Sequence, residues 1–408
     1  MIASSPLTMK LPTLTASCLV LLPLAASLSS CQSTGKDEAA AAASSAPAAA
    51  APEKKPGFFG RLFGGKKDAG APDQDAARRS AAETAFLAEC ATLAQPGGTL
   101  QGRDGWLFSA AELAAVARAG STAPALASIA DYAGQLRSIN CDLIVVPVPP
   151  KTLVYPDKVA RSTKLPGKRK SVPRLDGHWA AALQSLESRN IRTVDLLPVF
   201  LEARRSGGAE PYTMTSSTWS PQGAQLAAAA IAKAVLQSGA SRLAGSAEGI
   251  TREPAQLSFL GSLGTGTTPT PKPEALTAMN VGRIEGDKVR SVSFSTSGSN
   301  LLLMGDSSAV LSWRENGNPI GSSGAFSSLA DHLAATLGGI PDVLSAPGDG
   351  RNAPRLRIMR ERTAGRNPLA STKAIVWVIP MTDLASANWQ SVPLQLNFSL
   401  EQPEIQLR

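Results

Sequence analysis

The chain has 408 residues, 43% of them hydrophobic, with a formal net charge of +8 and a sequence pI of about 9.5. It can therefore bury a sizeable core, and the pattern of elements below favours one large domain over two. The basic excess is concentrated in residues 161–174 and 351–366, and no base-stacking or groove-reading motif accompanies it. We therefore exclude nucleic acid as a partner.

The first thirty residues predict a lipoprotein signal peptide. Lys10 precedes an apolar run over residues 16–28, and small residues at positions 29 and 30 precede Cys31. Cys31 is therefore the predicted lipidated N-terminus and the link to a membrane; a transmembrane anchor is the alternative, for which the run is short. The signal indicates a cell-envelope lipoprotein that faces the periplasm. Gln32 favours the outer membrane over the inner one.

Residues 31–75 predict a disordered tether, because they are rich in Ala, Ser, Pro and Lys and have no apolar period. Within the tether, residues 56–67 interleave aromatic and basic side chains, as interfacial membrane anchors do, although a sticky linker gives the same pattern. The folded domain is expected over residues 76–408. Cys90 and Cys141 are its two thiols, and the sequence leaves open whether they pair.

The domain alternates helical and strand patterns. Helices are predicted over residues 76–93, 122–139, 176–188 and 325–337, with another that begins after Ser220. Buried strands are predicted over residues 143–148, 193–197, 301–309 and 374–379, and near Ile340. This order predicts an α/β fold with a mostly parallel sheet and helices on both faces, in a three-layer, flavodoxin-like arrangement. Residues 392–400 alternate apolar and polar and predict an exposed edge strand.

Ser307 is the candidate nucleophile. It follows the apolar run of residues 301–305, and the carboxyl end of such a strand is where open α/β sheets bind ligands. A serine becomes a nucleophile only when a neighbouring base accepts its proton and a third group orients that base. The sequence must therefore supply a base and an orienting group.

Five motifs in a fixed order connect the chain to a known family. They are GRDGWLF at residues 102–108, VPVPPK at 146–151 with Tyr155-Pro156, Tyr212 leading to WSPQGA at 219–224, GDS at 305–307, and VW at 376–377 with Trp389. Together they resemble the SGNH-hydrolase-like domain of the alginate O-acetyltransferases of the AlgX and AlgJ type. The resemblance covers about residues 100–394. It implies an SGNH fold and acetyl transfer onto an exported polysaccharide by a Ser, His and Asp site, with Ser307 as the serine.

The resemblance also reveals what is missing. The Asp-x-His pair of the family maps onto Ser216 and Thr218, and Ser308 replaces the aromatic residue that follows the serine. Hydroxyl groups do not titrate near neutral pH, so neither replacement can accept the Ser307 proton. We therefore expect a degenerate site, a pseudoenzyme rather than an enzyme.

The chain has two histidines that could replace the lost base. Asp176 and His178 repeat the Asp-x-His spelling and form a candidate replacement dyad, against the simpler interpretation that Asp176 caps a helix and His178 lies in its first turn. His332 lies in the middle of a predicted helix among apolar residues, which indicates a structural role. We expect no metal ion and no cofactor.

The basic stretch of residues 161–174 gives a candidate surface for an anionic polysaccharide, with a merely solvated loop as the alternative. Its members are Arg161, Lys164, Lys168, Arg169, Lys170 and Arg174. Three functions remain open: a non-catalytic, lipid-anchored domain in exopolysaccharide modification or export, an active O-acetyltransferase or acetylesterase with a relocated base, and a structural scaffold that binds envelope assembly proteins.

Overall fold

The structure is a computed structural model. It describes residues 72–94, 98–118, 120–159, 172–243, 249–314, 325–386 and 388–395. The signal peptide, Cys31 and residues 160–171 of the basic stretch lie outside the described residues.

The described chain contains ten strands and twelve α-helices. The strands are β1 Thr99–Gln101, β2 Leu107–Ser109, β3 Asp142–Val148, β4 Arg192–Thr193, β5 Ile250–Phe259, β6 Glu274–Glu285, β7 Lys288–Ser291, β8 Leu301–Asp306, β9 Asp342–Ala346 and β10 Ala374–Pro380. The helices are α1 Pro72–Leu93, α2 Ala110–Ala117, α3 Ala123–Arg137, α4 Lys151–Val154, α5 Pro156–Val159, α6 Gly177–Glu187, α7 Leu197–Ser206, α8 Pro221–Val235, α9 Ser262–Thr265, α10 Ser307–Val310, α11 Leu329–Leu337 and α12 Ala353–Thr363. Short 3-10 helices span Arg103–Gly105 and Met381–Ala385.

A five-stranded parallel sheet forms the centre of the fold, with strand order β4-β3-β10-β8-β9. Helices flank it, so its central strands must be apolar on both sides. All six residues of β8 are buried, as are the first six residues of β10. The sequence prediction of an α/β fold with a parallel sheet in three layers is confirmed.

Several predicted elements differ in extent. The strand predicted over residues 193–197 is reduced to Arg192–Thr193, and helix α7 begins at Leu197 with proline at its second position. The strand predicted over residues 301–309 ends at Asp306, because Ser307 starts helix α10. The described part of the predicted edge strand, residues 392–395, is not a strand, and both Val392 and Leu394 are buried.

A three-stranded antiparallel sheet, β5-β6-β7, is inserted between α8 and β8 and was not predicted from the sequence. Ten residue pairs join β5 to β6, from Ile250 opposite Arg283 to Phe259 opposite Glu274. Strand β6 contacts α8 and α11, the helices that lie next to the central sheet. The insertion therefore forms part of the surface near the candidate site.

The second basic stretch, residues 351–366, consists mostly of helix α12, and part of this helix is buried in the hydrophobic core. Arg355 is 1% exposed, and its guanidinium lies 4.9 Å from the centroid of the Trp377 ring. Its Nη1 donates to Ser128 Oγ at 2.9 Å, and burial lowers the pKa of Arg355 to about 10. This arginine is packed against aromatic rings rather than presented to a polymer.

Cys90 and Cys141 are both buried free thiols, which answers the pairing question that the sequence left open. Burial raises the pKa of each thiol to about 12. In the part of the chain that the structure describes, no helix is both long and apolar enough to cross a membrane.

Candidate active site

Ser307 lies where the sequence placed it, at the carboxyl end of a central strand. Asp306 caps helix α10 through its side chain, which accepts from Ser308 N at 2.8 Å, and Ser307 is the first residue of that helix. A Cβ atom at Gly305 would lie 2.1 Å from Val378 O, so only glycine lets β8 and β10 approach here. The half-buried Ser307 hydroxyl donates to Ser345 Oγ at 3.1 Å.

The loop that carries Ser216 and Thr218 lies beside the chain that leaves Ser307. Trp219 Nε1 donates to Ser312 Oγ at 3.0 Å, and Trp313 Nε1 donates back to Trp219 O at 2.8 Å. Both tryptophans are at most 1% exposed. The fold therefore brings the two halves of the predicted site into one region.

Ser216 and Thr218 keep a turn but supply no base. Ser216 Oγ accepts a hydrogen bond from Thr218 N at 3.1 Å, a contact that an aspartate side chain can also make. Ser216 is 3% exposed and Thr218 is half-buried. Among the described residues, the partner of the Ser307 hydroxyl is the hydroxyl of Ser345, so no imidazole contacts it.

A buried lysine holds this loop. Lys151 is 0% exposed, and its Nζ donates to Leu107 O at 2.6 Å, Met214 O at 2.8 Å and Ser216 O at 3.0 Å. The same ammonium lies 5.1 Å from the ring centroid of Trp106. Burial lowers the pKa of Lys151 to about 7, although the nearby carboxylates of Glu112 and Glu274 act in the opposite direction. With all three donors engaged, Lys151 positions the loop and is not available to Ser307.

Glu274 holds the loop from the side of the inserted sheet. Its carboxylate accepts from Met214 N at 2.7 Å, and from Thr215 N at 2.8 Å and Thr215 Oγ1 at 2.5 Å. Behind the loop, a Cβ at Gly261 would lie 2.3 Å from Thr215 O, so the backbone packs directly on this glycine. The loop is therefore fixed from three directions although its proton-handling side chains are absent.

The proposed replacement dyad does not form in the structure. Asp176 is 1% exposed and its carboxylate accepts two hydrogen bonds from Arg174, at 2.8 and 2.7 Å. His178 instead faces Glu83, with Nδ1 3.5 Å from Glu83 Oε1. Helix α6, which carries His178, follows β3, and β10 separates β3 from the Ser307 strand β8. Two strand spacings place β3 and β8 about 10 Å apart.

His332 and Asp383 are two further titratable groups that could be considered as a base for Ser307. His332 is 1% exposed, its Nε2 lies 3.0 Å from Ser327 Oγ, and burial lowers its pKa to about 3. Asp383, at the end of β10, has a pKa raised to about 6, first by burial, but its carboxylate lies 3.3 Å from Arg351 Nε. Neither group contacts Ser307.

Arg174 is the one described member of the proposed polymer-binding set. It pairs with Asp176 and with Asp195, the latter at 2.7 Å, and these carboxylates raise its pKa. The other five members lie outside the described residues, so a role in binding an anionic polymer stays a prediction for them. Among the described residues, no group of three or more His, Cys, Asp or Glu side chains could hold a metal ion.

Lys151 and Glu274 are the site residues that sequence reasoning missed. Lys151 was part of the VPVPPK motif, but nothing in that motif shows which carbonyl groups surround the ammonium. Glu274 is the first residue of strand β6, which was itself not predicted, so no signal pointed to it.

The parallel sheet, with a GDS serine at the end of β8, defines an SGNH hydrolase-like domain. The chain belongs to the AlgX family: residues 99–316, more than half of its length, match the family described as SGNH hydrolase-like domain, acetyltransferase AlgX. A search among curated proteins gave no match.

Two of the solved structures that are similar to the chain come from Pseudomonas species. The O-acetyltransferase domain of Pseudomonas putida AlgJ has a TM-score of 0.52 and 20% identity, and the match covers 72% of this chain and 95% of that one. Pseudomonas aeruginosa AlgX has a TM-score of 0.49 and 19% identity, and the match covers 72% of this chain and 66% of that one. At 20% identity, the likeness to the AlgJ domain establishes the fold alone.

Proposed function

We propose that the protein is a catalytically degenerate AlgX/AlgJ-like domain that acts in the modification or export of an exopolysaccharide, within an O-acetylation pathway. In this proposal Cys31 carries the lipid, and the domain faces the periplasm from the outer membrane. The family description names an acetyltransferase, and the P. putida relative is an O-acetyltransferase domain, which supports the link to acetylation. The partners would be an exported polysaccharide and envelope assembly proteins.

One observation carries the non-catalytic part of the proposal: the Ser307 hydroxyl donates to Ser345 Oγ rather than to an imidazole. A hydroxyl cannot accept the serine proton near neutral pH, and removal of a triad base costs most of the rate. The loop that should carry the base is held in place by hydrogen bonds from Lys151 and to Glu274. Ser216 and Thr218 carry hydroxyl groups, which cannot act as the base.

The test compares the purified full-length chain with its Ser307→Ala variant, using p-nitrophenyl acetate for hydrolysis and an acetylated donor with a polysaccharide acceptor for transfer. We expect identical rates for both proteins, no higher than the background rate. A rate above background that Ser307→Ala abolishes would refute the proposal.

The two other candidate functions predict different experimental results. An active enzyme with Asp176 and His178 as its base requires that His178→Ala abolish the same activity, and the contacts of both residues favour structural roles. A pure scaffold would retain its assembly partners without binding polysaccharide. A polysaccharide pull-down with the full-length chain separates the scaffold from the proposed function.

A further inference from the structure

Two surface clefts meet at Gln222, in the first turn of helix α8. One, of about 470 Å³, is lined by Trp106, Met214 and the first residues of β6, Glu274–Thr277. The other, of about 590 Å³, runs along α8 past Gln225. Because Gln222 lines both, the clefts adjoin, and together they are called the groove here; Met214, which lines the first cleft, belongs to the loop that continues to Ser216 and Thr218.

Among the described residues that line the groove, few charged groups are free to bind a ligand. The two carboxylates of these residues are engaged: Glu274 accepts from the loop at residues 214–215, and Glu210 Oε2 accepts from Tyr155 at 2.6 Å. Arg252, at the far end, donates to Thr336 Oγ1 at 3.2 Å. An anionic polymer would meet two carboxylates and one arginine here, so charge does not favour it.

Neutral donors and acceptors remain. Gln222 Oε1 accepts from Glu210 N at 3.2 Å, and no described residue accepts from the Gln222 amide nitrogen. Gln225 is exposed on the groove, and so is Thr277, whose hydroxyl also contacts the Gln256 amide at 3.4 Å. Amide and hydroxyl side chains are the groups that hydrogen-bond to sugar hydroxyls without requiring a charge on the sugar.

We propose that this groove binds an uncharged polysaccharide chain, made of neutral hexose units, rather than a polyuronate. The proposal rests on the function proposed above and names the class of polymer that the domain holds. Gln222 and Gln225 provide the hydrogen bonds, and the polysaccharide runs along the start of α8. The basic stretch of residues 161–174 is not needed for this binding.

The test measures binding of the full-length chain in detergent to cellohexaose and to a mannuronate hexamer by calorimetry. The double variant Gln222→Ala/Gln225→Ala should bind cellohexaose about tenfold more weakly, since each neutral hydrogen bond contributes about fivefold or less. Gln237→Ala, just beyond the other end of α8, is the matched control and should bind as the wild type does. Equal thermal melting of the three proteins establishes that all are folded.

Charge reversal at Lys168, Arg169 and Lys170 provides the second arm. It should leave cellohexaose binding unchanged. Unchanged cellohexaose binding by the double glutamine variant, or no cellohexaose binding by the wild type, would overturn the groove proposal, as would tighter groove-dependent binding of the mannuronate hexamer. None of these results would affect the non-catalytic assignment, which Ser307-dependent acetyl-ester turnover alone refutes.

Discussion

Lys151 donates a 3.0 Å hydrogen bond to the main-chain carbonyl of Ser216, at the position where the family resemblance places a catalytic aspartate. The lysine lies in a different motif, 65 residues away in the chain, and it is fully buried. The contacts that hold this loop are therefore present, although hydroxyl side chains occupy positions 216 and 218. The proposed degeneracy can be tested by placing an aspartate and a histidine at these two positions.

Restoring the two side chains should restore some activity. Ser216→Asp with Thr218→His returns a carboxylate and an imidazole to a loop that Lys151, Glu274 and Trp219 already hold. A positioned general base contributes roughly 10²–10⁴-fold, and we expect at least about tenfold over background for p-nitrophenyl acetate.

Free imidazole can itself cleave such an ester, so the control is the triple variant that also carries Ser307→Ala. The repaired protein should be active and the triple variant should not. Equal rates for these two proteins would mean that Ser307 is not within reach of residue 218.

Lys151→Met should destabilise the domain. The substitution removes the Lys151 donor from three buried main-chain carbonyl groups, those of Leu107, Met214 and Ser216, of which Met214 O keeps a second donor, Leu107 N at 2.9 Å. Each unsatisfied buried group costs about 1 kcal/mol or more, so we expect a loss of about 2 kcal/mol in the free energy of unfolding, measured by urea denaturation.

The matched control is Lys158→Met, which removes a lysine whose partner Asp104 is 71% exposed. A surface pair of this kind contributes about 1 kcal/mol or less. Similar losses for the two variants would show that the Lys151 contacts do not hold the site together.

The sequence was most informative where burial leaves a continuous apolar signal. Strands β8 and β10 were recognised because both faces of the sheet are covered and nearly every residue is apolar. The inserted sheet was missed because β5 has Pro254 and a run of polar residues, and several of its positions are exposed. A half-exposed hairpin lacks the continuous apolar run that identifies a strand buried on both faces.

For the site, sequence order identified Ser307 and the two replaced positions, since these belong to linear motifs. The role of Lys151 could not be predicted, because its three acceptors come from strand β2 and from the loop at residues 214–216, which are distant from each other in the chain. The contacts of Asp176 and His178 could not be predicted either. Asp176 pairs with Arg174 and His178 faces Glu83, and the packing of the folded chain determines both contacts.

Cys31→Ser tests the proposed anchor. If Cys31 carries lipid, the wild-type protein should partition into the detergent phase of a Triton X-114 extraction, and the variant should move to the aqueous phase. The reason is that an acyl chain contributes about 0.8 kcal/mol for each buried CH₂ group. Unchanged partitioning of the variant would remove the lipoprotein assignment.

The last prediction concerns acid stability and His332. Burial lowers its folded pKa to about 3, against 6.5 for the ordinary side chain, and the nearby Arg252 adds to the effect. Between these values the unfolded chain binds more protons than the folded one, so stability rises with pH across this window and is lost as pH falls below 6.5. Asp331 on the same helix acts in the opposite direction, because its folded pKa is raised to about 6.

The comparison of wild type with His332→Gln isolates the histidine, since Asp331 is common to both proteins. Between pH 6.5 and pH 4, wild type should lose about 3 kcal/mol more of its unfolding free energy than the variant does, as urea denaturation at several pH values would measure. The variant keeps a side-chain amide that can contact Ser327, so a large loss of stability at pH 7 is not expected. Parallel curves for the two proteins would show that His332 takes up no proton on unfolding, in contradiction of its buried, neutral state.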